Sequence, residues 1–516
     1  VLKPIRILIC TIVVLSFSVR AMAAQQPNVI VMIADDLGYA DMSFLPQSPR
    51  DVKTPSIDRL AAMGTSFSNA YATSPICNPS RAGLITGRQQ QRWGTYWYGS
   101  PGFPSDELTI PKALRSMGYI TKKIGKTHTG RSPARHPLDH GFDEFLGFEA
   151  STWDYTRLNH KDVAAYKKRT GGKAIGMLHV GPLQRNRGED VDFGTSYTSD
   201  IFGDEAIELI QRDRGDKPFY IQLAFNAVHL PTYVTDEKYA KLVGLEHEPW
   251  DREAAHWEFP YWDPNKEGWG TWHKTWGNLG KVDLNGRKRY LSHLIGMDAN
   301  IGRIISALGQ SGQLEDTIIV FVSDNGGTIN TYSNNAPLRG YKYMFGEGGI
   351  RVPMIIAWPG KLPGKQTHDA LVSAMDIFPT VVELAGGQVP ADRDGKSLVP
   401  LLNGGKASLH DALCFTSGRG SWAIRKGDWK LVGGDGWEHA AFKYDENGLC
   451  IRDENPFVYP AGVNLFNLKD DIGETRNLSH THPEIVKELT ASYKTWRGQM
   501  AYTKKEGGIR KAAAKK

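Results

Sequence analysis

Three apolar runs, each ending in residues able to bind a ligand, constrain this chain more than any other feature. They are "NVIVMIADD" (28–36), "PFYIQLAFNAVHLP" (218–231) and "TIIVFVSDNGG" (317–327). A strand solvated on one face alternates apolar and polar residues. A strand buried on both faces reads instead as a continuous run. Stretches of helical character lie between the runs, such as "TPSIDRLAAMG" (54–64) and "ELTIPKALRSMG" (107–118), the second with a proline expected near its first turn. Strands alternating with helices predict an α/β domain with a central, mostly parallel sheet flanked by helices. In such sheets ligands bind beyond the carboxyl ends of the strands. The runs end in Asp35-Asp36, His229 and Asp324-Asn325, so this fold aims those groups at one place.

A chain of 516 residues, 40% of them hydrophobic, is long enough for a sizeable core and for more than one domain. Residues 1–24 read as a secretory signal peptide. Lys3 and Arg6 precede an apolar run from Ile7 to Val19, and Ala21-Met22-Ala23 forms a small-x-small cleavage pattern. The run is short for a bilayer span, so export to the periplasm or beyond is expected, with no membrane attachment. Residues 25–404 are expected to form the catalytic domain. Within it, about 245–280 is a Trp-rich insert holding six of the 14 tryptophans. After residue 405 the texture changes. "SWAIRKGDWKLVGG" reads as a hairpin and "PEIVKELTASYKTWRGQM" as an amphipathic helix, so 405–510 is expected to form a smaller C-terminal α+β domain, with 511–516 a basic tail. A net charge of +6 suits an anionic substrate or an ordinary lysine-bearing surface, and a nucleic-acid partner is not expected.

Past the signal peptide the cysteines are Cys77, Cys414 and Cys450. An odd number in an oxidising compartment leaves one outside any intrachain disulfide. If Cys414 and Cys450 pair, Cys77 is the remainder. It opens "CNPSRAGLITGR", where Asn78 suits an N-cap, Pro79 a first helical residue and Gly87 a C-terminal stop. A thiol just ahead of a helix ionises more easily, and anions bind there; a small packed cysteine is the plainer alternative. Asp35, Asp36, Asp324 and Asn325 offer only oxygen, which favours Ca²⁺ or Mg²⁺, and a crowded carboxylate set suits Ca²⁺ better. Ordinary strand-end turns are the competing reading. "GKTH" (125–128) is not a phosphate loop, because Ile120 stands where that motif needs glycine. Lys126 and His128 alternate about Thr127, so on a strand they share a face; with Lys122 and Lys123 nearby, a solvated basic face is the alternative.

Cys77-Asn78-Pro79-Ser80-Arg81, continued by Leu84, Thr86, Gly87 and Arg88, resembles the signature of type I sulfatases of the alkaline-phosphatase-like superfamily. Other blocks follow in family order. "NVIVMIADDLGYAD" resembles the first metal strand, "GYITKKIGKTHTG" the Gly-Lys-Trp-His segment with Thr127 for Trp, and "HPLDHGFDEFLGF" the next block. "NAVHLP" resembles the active-site histidine segment, "VSDNGG" the second metal strand, "NAPLRGYKYMFGEGGIRVPMIIAWPG" the lysine loop and "NLFNLKDDIGETRNL" the C-terminal pattern.

The resemblance implies a sulfuric ester hydrolase in which a formylglycine-generating maturase oxidises Cys77 to an aldehyde. Its hydrate attacks sulfur with one Ca²⁺ held by Asp35, Asp36, residue 77, Asp324 and Asn325. Lys126, Lys342 and His229 then neutralise charge, Arg81 holds the diol and the adjacent loop, His229, helped by Lys342, protonates the leaving alcohol, and His128 takes the proton of the second hydroxyl. The Trp-rich insert, "RWGTYWYG" and "STWDYTR" favour a sulfated oligo- or polysaccharide, with an algal galactan such as carrageenan the specific expectation. Trp153, Trp257, Trp262 and Arg339 are the candidate sugar contacts. Two alternatives stay open: a phosphonate or phosphate monoester hydrolase of the same superfamily, and a non-catalytic sulfated-glycan binder with Cys77 unmodified.

Overall fold

A computed structural model describes residues 26–130, 136–149, 155, 183–191, 193, 196–230, 232, 235–247, 285–328, 331–418, 420–434, 437–444 and 450–501, with the side chains of 437–458 left aside. The signal peptide, nearly all of the Trp-rich insert and the basic tail lie outside these residues.

In chain order the first strands are β1 (Asn28–Ala34), β2 (Gly64–Phe67), β3 (Ala70–Tyr71), β4 (Ile120–Lys126), β5 (Glu144–Phe148), β6 (Leu183–Arg185), β7 (Glu189–Val191) and β8 (Phe219–Ala224). They continue with β9 (Thr317–Ser323), β10 (Met354–Ala357), β11 (Gln366–His368) and β12 (Val372–Ser373). Ten of them form one sheet in the order β11-β2-β10-β9-β1-β8-β4-β5-β6-β7. The centre is parallel: β9, β1, β8, β4 and β5 all run the same way.

Alternate residues of β1 enter different cores, which is why its sequence shows no alternation. Ile30, Met32 and Ala34 join one core with α4 (Thr198–Gln211) and α5 (Gly286–Gln310). Val29, Val31 and Ile33 join the other with α2 (Cys77–Thr86), α3 (Ile110–Ser116) and α6 (Ile377–Leu384). α1 (Pro55–Met63) packs on the first face through Ile57 and Leu60. α3 begins as expected: Pro111 is in its first turn, and the Thr109 side chain accepts from the Lys112 N–H, a cap worth about 1 kcal/mol.

The C-terminal part is a four-stranded antiparallel sheet, β13 (Leu413–Thr416), β14 (Trp422–Lys426), β15 (Trp429–Gly434) and β18 (Gly462–Asn467). The pair β16 (Trp437–Tyr444) and β17 (Cys450–Tyr459) forms a separate ribbon. The expected hairpin is β14–β15, closing at Lys426 opposite Trp429. The expected amphipathic helix is α7 (Pro483–Arg497), whose Leu489 and Tyr493 pack with Ile424, Leu431 and Leu465. The architecture is thus the α/β sheet with helices on both faces, plus a smaller α+β unit. Cys414 is a free, buried thiol in that smaller core, and the side chain of Cys450, its considered disulfide partner, lies outside what is described. Among the described residues no helix is long and apolar enough to cross a membrane.

Two lysines depart from the solvated face weighed above. Lys122 is buried and sits 2.9–3.2 Å from Glu144, Glu205 and Glu208, two of them carried by α4. Lys123 points to the other side of β4 and is only 3% exposed. Both faces of the strand are covered, so alternation cannot deliver either side chain to water.

Candidate active site

Register brings the acidic pairs together. Ala34 of β1 lies beside Ser323 of β9, so Asp35-Asp36 and Asp324-Asn325 leave the sheet as neighbours. The Asp36 N–H donates to Asp324 Oδ1 at 3.2 Å, and the Leu37 N–H to Ser323 Oγ at 3.1 Å. Asn325 Nδ2 donates to Asp36 Oδ1 at 2.7 Å. Asp36 holds a left-handed backbone (φ 59°), uncommon for a non-glycine residue. On the other flank, the Asp35 N–H donates to the Ala227 carbonyl and the Val228 N–H to the Asp35 carbonyl, each at 2.9 Å. The segment after β8 therefore continues beside the aspartates and carries His229 among them. Tyr155 steadies it from beneath, its hydroxyl 2.8 and 2.7 Å from the carbonyls of Asn226 and His229.

Cys77 enters from α2. The helix starts earlier than its sequence suggested, with Ile76 at the N-cap and Cys77 as first helical residue. Asn78 does not cap it. Its Nδ2 donates instead to the carbonyls of Tyr98 and Ser100, each 3.0 Å away, tying down the 97–100 turn. Gly87 ends the helix in the left-handed conformation, as expected. Burial pushes the Cys77 thiol up to about 11, with Lys126 and Lys342 only partly offsetting it. Burial thus works against the easy ionisation expected of a helix-end thiol and outweighs the two nearby lysine charges.

Three cations face the three carboxylates. Lys126 Nζ is 2.5 Å from Asp35 Oδ2, and Lys342 Nζ is 2.8 Å from Asp36 Oδ2. Arg81 places Nε and Nη2 each 2.8 Å from Asp324 Oδ2. All six side chains are buried. β4 ends at Lys126, so His128 lies past the strand at φ 44° and the alternation expected of the pair does not govern it. The irregular segment after the strand presents it instead.

The two histidines have defined tautomers. His128 Nε2 is 3.3 Å from the Tyr98 carbonyl, which can only accept, so Nε2 carries the hydrogen and Nδ1 the lone pair. That Nδ1 is buried and makes no hydrogen bond. Burial, then Lys126 and Arg81, hold His128 well below the usual histidine range, so it is neutral. His229 has the opposite arrangement. Its Nδ1 is 2.7 Å from the Leu230 carbonyl, and its lone-pair Nε2 faces Lys342 Nζ at 3.0 Å and Asp36 Oδ2 at 3.5 Å. Burial and Lys342 lower His229; burial also works against Lys342, but Asp36 raises it well above the usual lysine range. The proton shared by that pair resides on Lys342.

Asp35, Asp36, Cys77 and His229 each offer one ligand atom, and the four atoms lie within 4.8 Å of one another. Beside them Asp35 Oδ1 and Asn325 Oδ1 are buried acceptors that receive no hydrogen bond. Unmet oxygens in a dry acidic cluster fit a hard divalent cation. His229 joins this set, whereas its sequence context suggested only proton transfer. Asp324 is occupied by Arg81 and the Asp36 N–H.

Of the candidate sugar contacts, Trp153, Trp257 and Trp262 lie outside the described residues. Arg339 turns to the C-terminal part, with Nη1 against the Glu474 carbonyl and its guanidinium 5.3 Å from the Tyr459 ring centre. Tyr155, within one of the aromatic stretches read as sugar-binding, is fully buried beneath His229. Trp97 and Tyr343, partly exposed rings 5.7 Å apart, stand beside Lys342. The positioning roles of Asn78, Tyr98 and Tyr155 are not legible in the sequence, since each acts across the fold through a backbone carbonyl.

A family model described as Sulfatase matches residues 27–387. The chain belongs to the sulfatase family. This sulfatase is 30% identical over 405 residues to N-acetylgalactosamine-6-sulfatase of Canis lupus familiaris, covering 74% of this chain and 67% of that one. It is 29% identical over 498 residues to arylsulfatase A of Bos taurus, covering 92% and 87%. The crystal structure of Ps i-CgsB in complex with k-i-k-neocarrahexaose superimposes with a TM-score of 0.71 at 30% identity, covering 92% of this sulfatase and 93% of that chain.

Proposed function

We propose that this sulfatase removes sulfate from a sulfated glycan, an algal galactan of the carrageenan class, with formylglycine made from Cys77 by a maturase and one Ca²⁺. The observation that carries the reading is the convergence of Asp35, Asp36, Cys77 and His229 within 4.8 Å, ringed by buried Lys126, Lys342 and Arg81. The glycan class rests on likeness across nearly the whole chain to a protein crystallised with a carrageenan oligosaccharide.

Asp35, Asp36, Asp324 and Asn325, with residue 77, would hold the cation, Asp324 also pairing with Arg81. Hydrated formylglycine supplies an oxygen nucleophile, and Ca²⁺ would make that oxygen more acidic and polarise the sulfate. Lys126 and Lys342 bring two positive charges to the ends of β4 and β1, where sulfate oxygens need them. Lys342, rather than the neutral His229, donates the proton to the leaving alcohol, and His229 Nε2 orients it. His128 Nδ1, a buried lone pair, accepts the proton of the second hydroxyl on residue 77.

The test is sulfate release by the protein co-expressed with a formylglycine-generating enzyme, offered carrageenan, ulvan and glycosaminoglycan oligosaccharides and an aryl sulfate. Release from carrageenan fragments alone supports the reading. Release from another glycan reassigns the substrate. Faster hydrolysis of a matched aryl phosphate, or an unmodified thiol at Cys77 in the native host, overturns the mechanism.

A further inference from the structure

Behind the catalytic centre lies a second polar space that the proposed chemistry does not use. It is walled by Arg81, Lys123, Thr127, Thr129, His140 and Gln222, with apolar side chains such as Ile33 and Phe142 completing the lining. The centre of a water-sized particle has about 10 Å³ there, room for one such particle and too little for a sulfate ion. Thr127 Oγ1 and Thr129 Oγ1 are buried and receive or donate no hydrogen bond. Lys123 is 3% exposed and has no hydrogen-bond or ion-pair partner among the described residues. No carboxylate lines the space.

We propose that this cavity is a binding site for one small monovalent anion of the halide type, held by the Lys123 ammonium and the hydroxyls of Thr127 and Thr129. A buried ammonium without a partner is costly. It must either lose its proton or gain a counter-ion. Burial and the nearby Arg81 charge both act against the ammonium. The wall decides for the counter-ion. It presents hydroxyl and N–H donors, with the Gln222 amide and the His140 imidazole each able to turn a donor to it, has no acid to neutralise Lys123, and backs onto an arginine whose own charge is already matched by Asp324. A halide satisfies several donors at once and asks for no donor hydrogen of its own, whereas a water must also place two. Thr127 stands where the resembling motif has tryptophan. Its small side chain leaves space on this side of the strand end, and its hydroxyl lines it.

The experiment uses the full chain. Crystals grown or soaked in sodium bromide are measured at the bromine edge, and thermal unfolding is followed at constant ionic strength while acetate is exchanged for chloride. An anomalous peak beside Lys123 is expected, together with a saturable rise in Tm of about 2–4 °C. Lys123→Met should remove both the peak and the chloride dependence. Thr127→Val, which keeps the fold's volume nearly unchanged, should weaken the chloride dependence if Lys123→Met does not yield folded protein. An ordered water without anomalous signal overturns the proposal. So does a chloride dependence unchanged in either variant, or a bromide peak with no effect in solution, which is an adventitious ion only.

Discussion

Two buried clusters of acids and bases lie in this molecule, built from the same residue types to opposite ends. At the carboxyl ends of β1, β8 and β9, Asp35, Asp36 and Asp324 face Lys126, Lys342 and Arg81, yet Asp35 Oδ1, 3.5 Å from Arg81 Nη2, and Asn325 Oδ1 receive no hydrogen bond. Where the sheet meets the C-terminal part, Glu347 is saturated. Lys430 Nζ lies 2.8 Å from its Oε1, and the Tyr71 hydroxyl 2.6 Å from its Oε2, with Arg351 and Arg425 within 3.5 Å of that oxygen. Lys430 reaches Glu474 as well, at 2.9 Å, and Glu474 Oε2 accepts from the Glu347 N–H at 2.7 Å. Burial works to raise Glu347, but Lys430, Arg425 and Arg351 hold it well below the usual carboxylate range. The second cluster closes around Glu347 and joins the two parts of the chain; its one acceptor without a formed hydrogen bond, Glu474 Oε1, still has Lys430 Nζ 2.9 Å away. The first keeps acceptors in reserve, as a centre must if it is to bind something.

The largest effect should come from Cys77→Ser. Sulfate release by protein co-expressed with the maturase is expected to fall about a thousandfold or more, while Tm and substrate binding persist. Full activity in that variant would make the first cluster as passive as the second. Asp324→Asn should follow closely. Freed from its carboxylate, Arg81 loses its anchor, and both calcium content by atomic absorption and turnover should drop together. An active, metal-free variant would refute the metal assignment.

Matched lysine substitutions break the comparison most directly. Lys430→Met removes one partner from a closed network and leaves a buried carboxylate, which costs about 3–5 kcal/mol of stability by denaturant titration. The molecules that stay folded should keep their kcat. Lys126→Met should do the reverse in calcium-loaded protein: kcat falls about a hundredfold or more while the denaturation midpoint moves little. If the two variants exchanged behaviours, the first cluster would be the joining one and the second the working one.

Much of this is legible in the amino-acid sequence, and for a physical reason. Residues 28–34 and 317–323 are apolar because both faces of the sheet are covered, so they announce the strands, and whatever follows them must sit at the sheet's edge. Cys77 and Gly87 bracket a helix whose stop was legible from glycine's left-handed freedom. Its start was misplaced, because Asn78 spends its side chain on carbonyls some twenty residues away. What stayed hidden has that same long-range character. Lys122 looked solvated because its partners Glu205 and Glu208 lie more than eighty residues on. The strand order and the clamp of Tyr155 on the His229 segment depend on chain crossings that no local pattern encodes. Proton location on Lys342 rather than His229 needed a carbonyl, that of Leu230, to settle the tautomer.

The smallest expected effect concerns a pair that is neither working nor saturated. His410 Nε2 lies 2.8 and 2.9 Å from the oxygens of Asp376, which also accept from the N–H groups of Ser373 and Lys396. Burial opposes the charged imidazole, but the Asp376 carboxylate prevails and raises it above the ordinary histidine value. A raised folded-state value means that the pair's stabilisation is fully present below the unfolded value, near pH 6.5. It is lost as pH climbs through the raised one. Wild-type protein should therefore lose Tm between pH 6 and pH 9 relative to His410→Gln, with the gap between the two closing as pH rises. The comparison by difference cancels the titration of every other group. A gap that widened instead would show that the imidazole is neutral in the fold and that Asp376 is satisfied by backbone donors alone, which would place this pair with the saturated cluster.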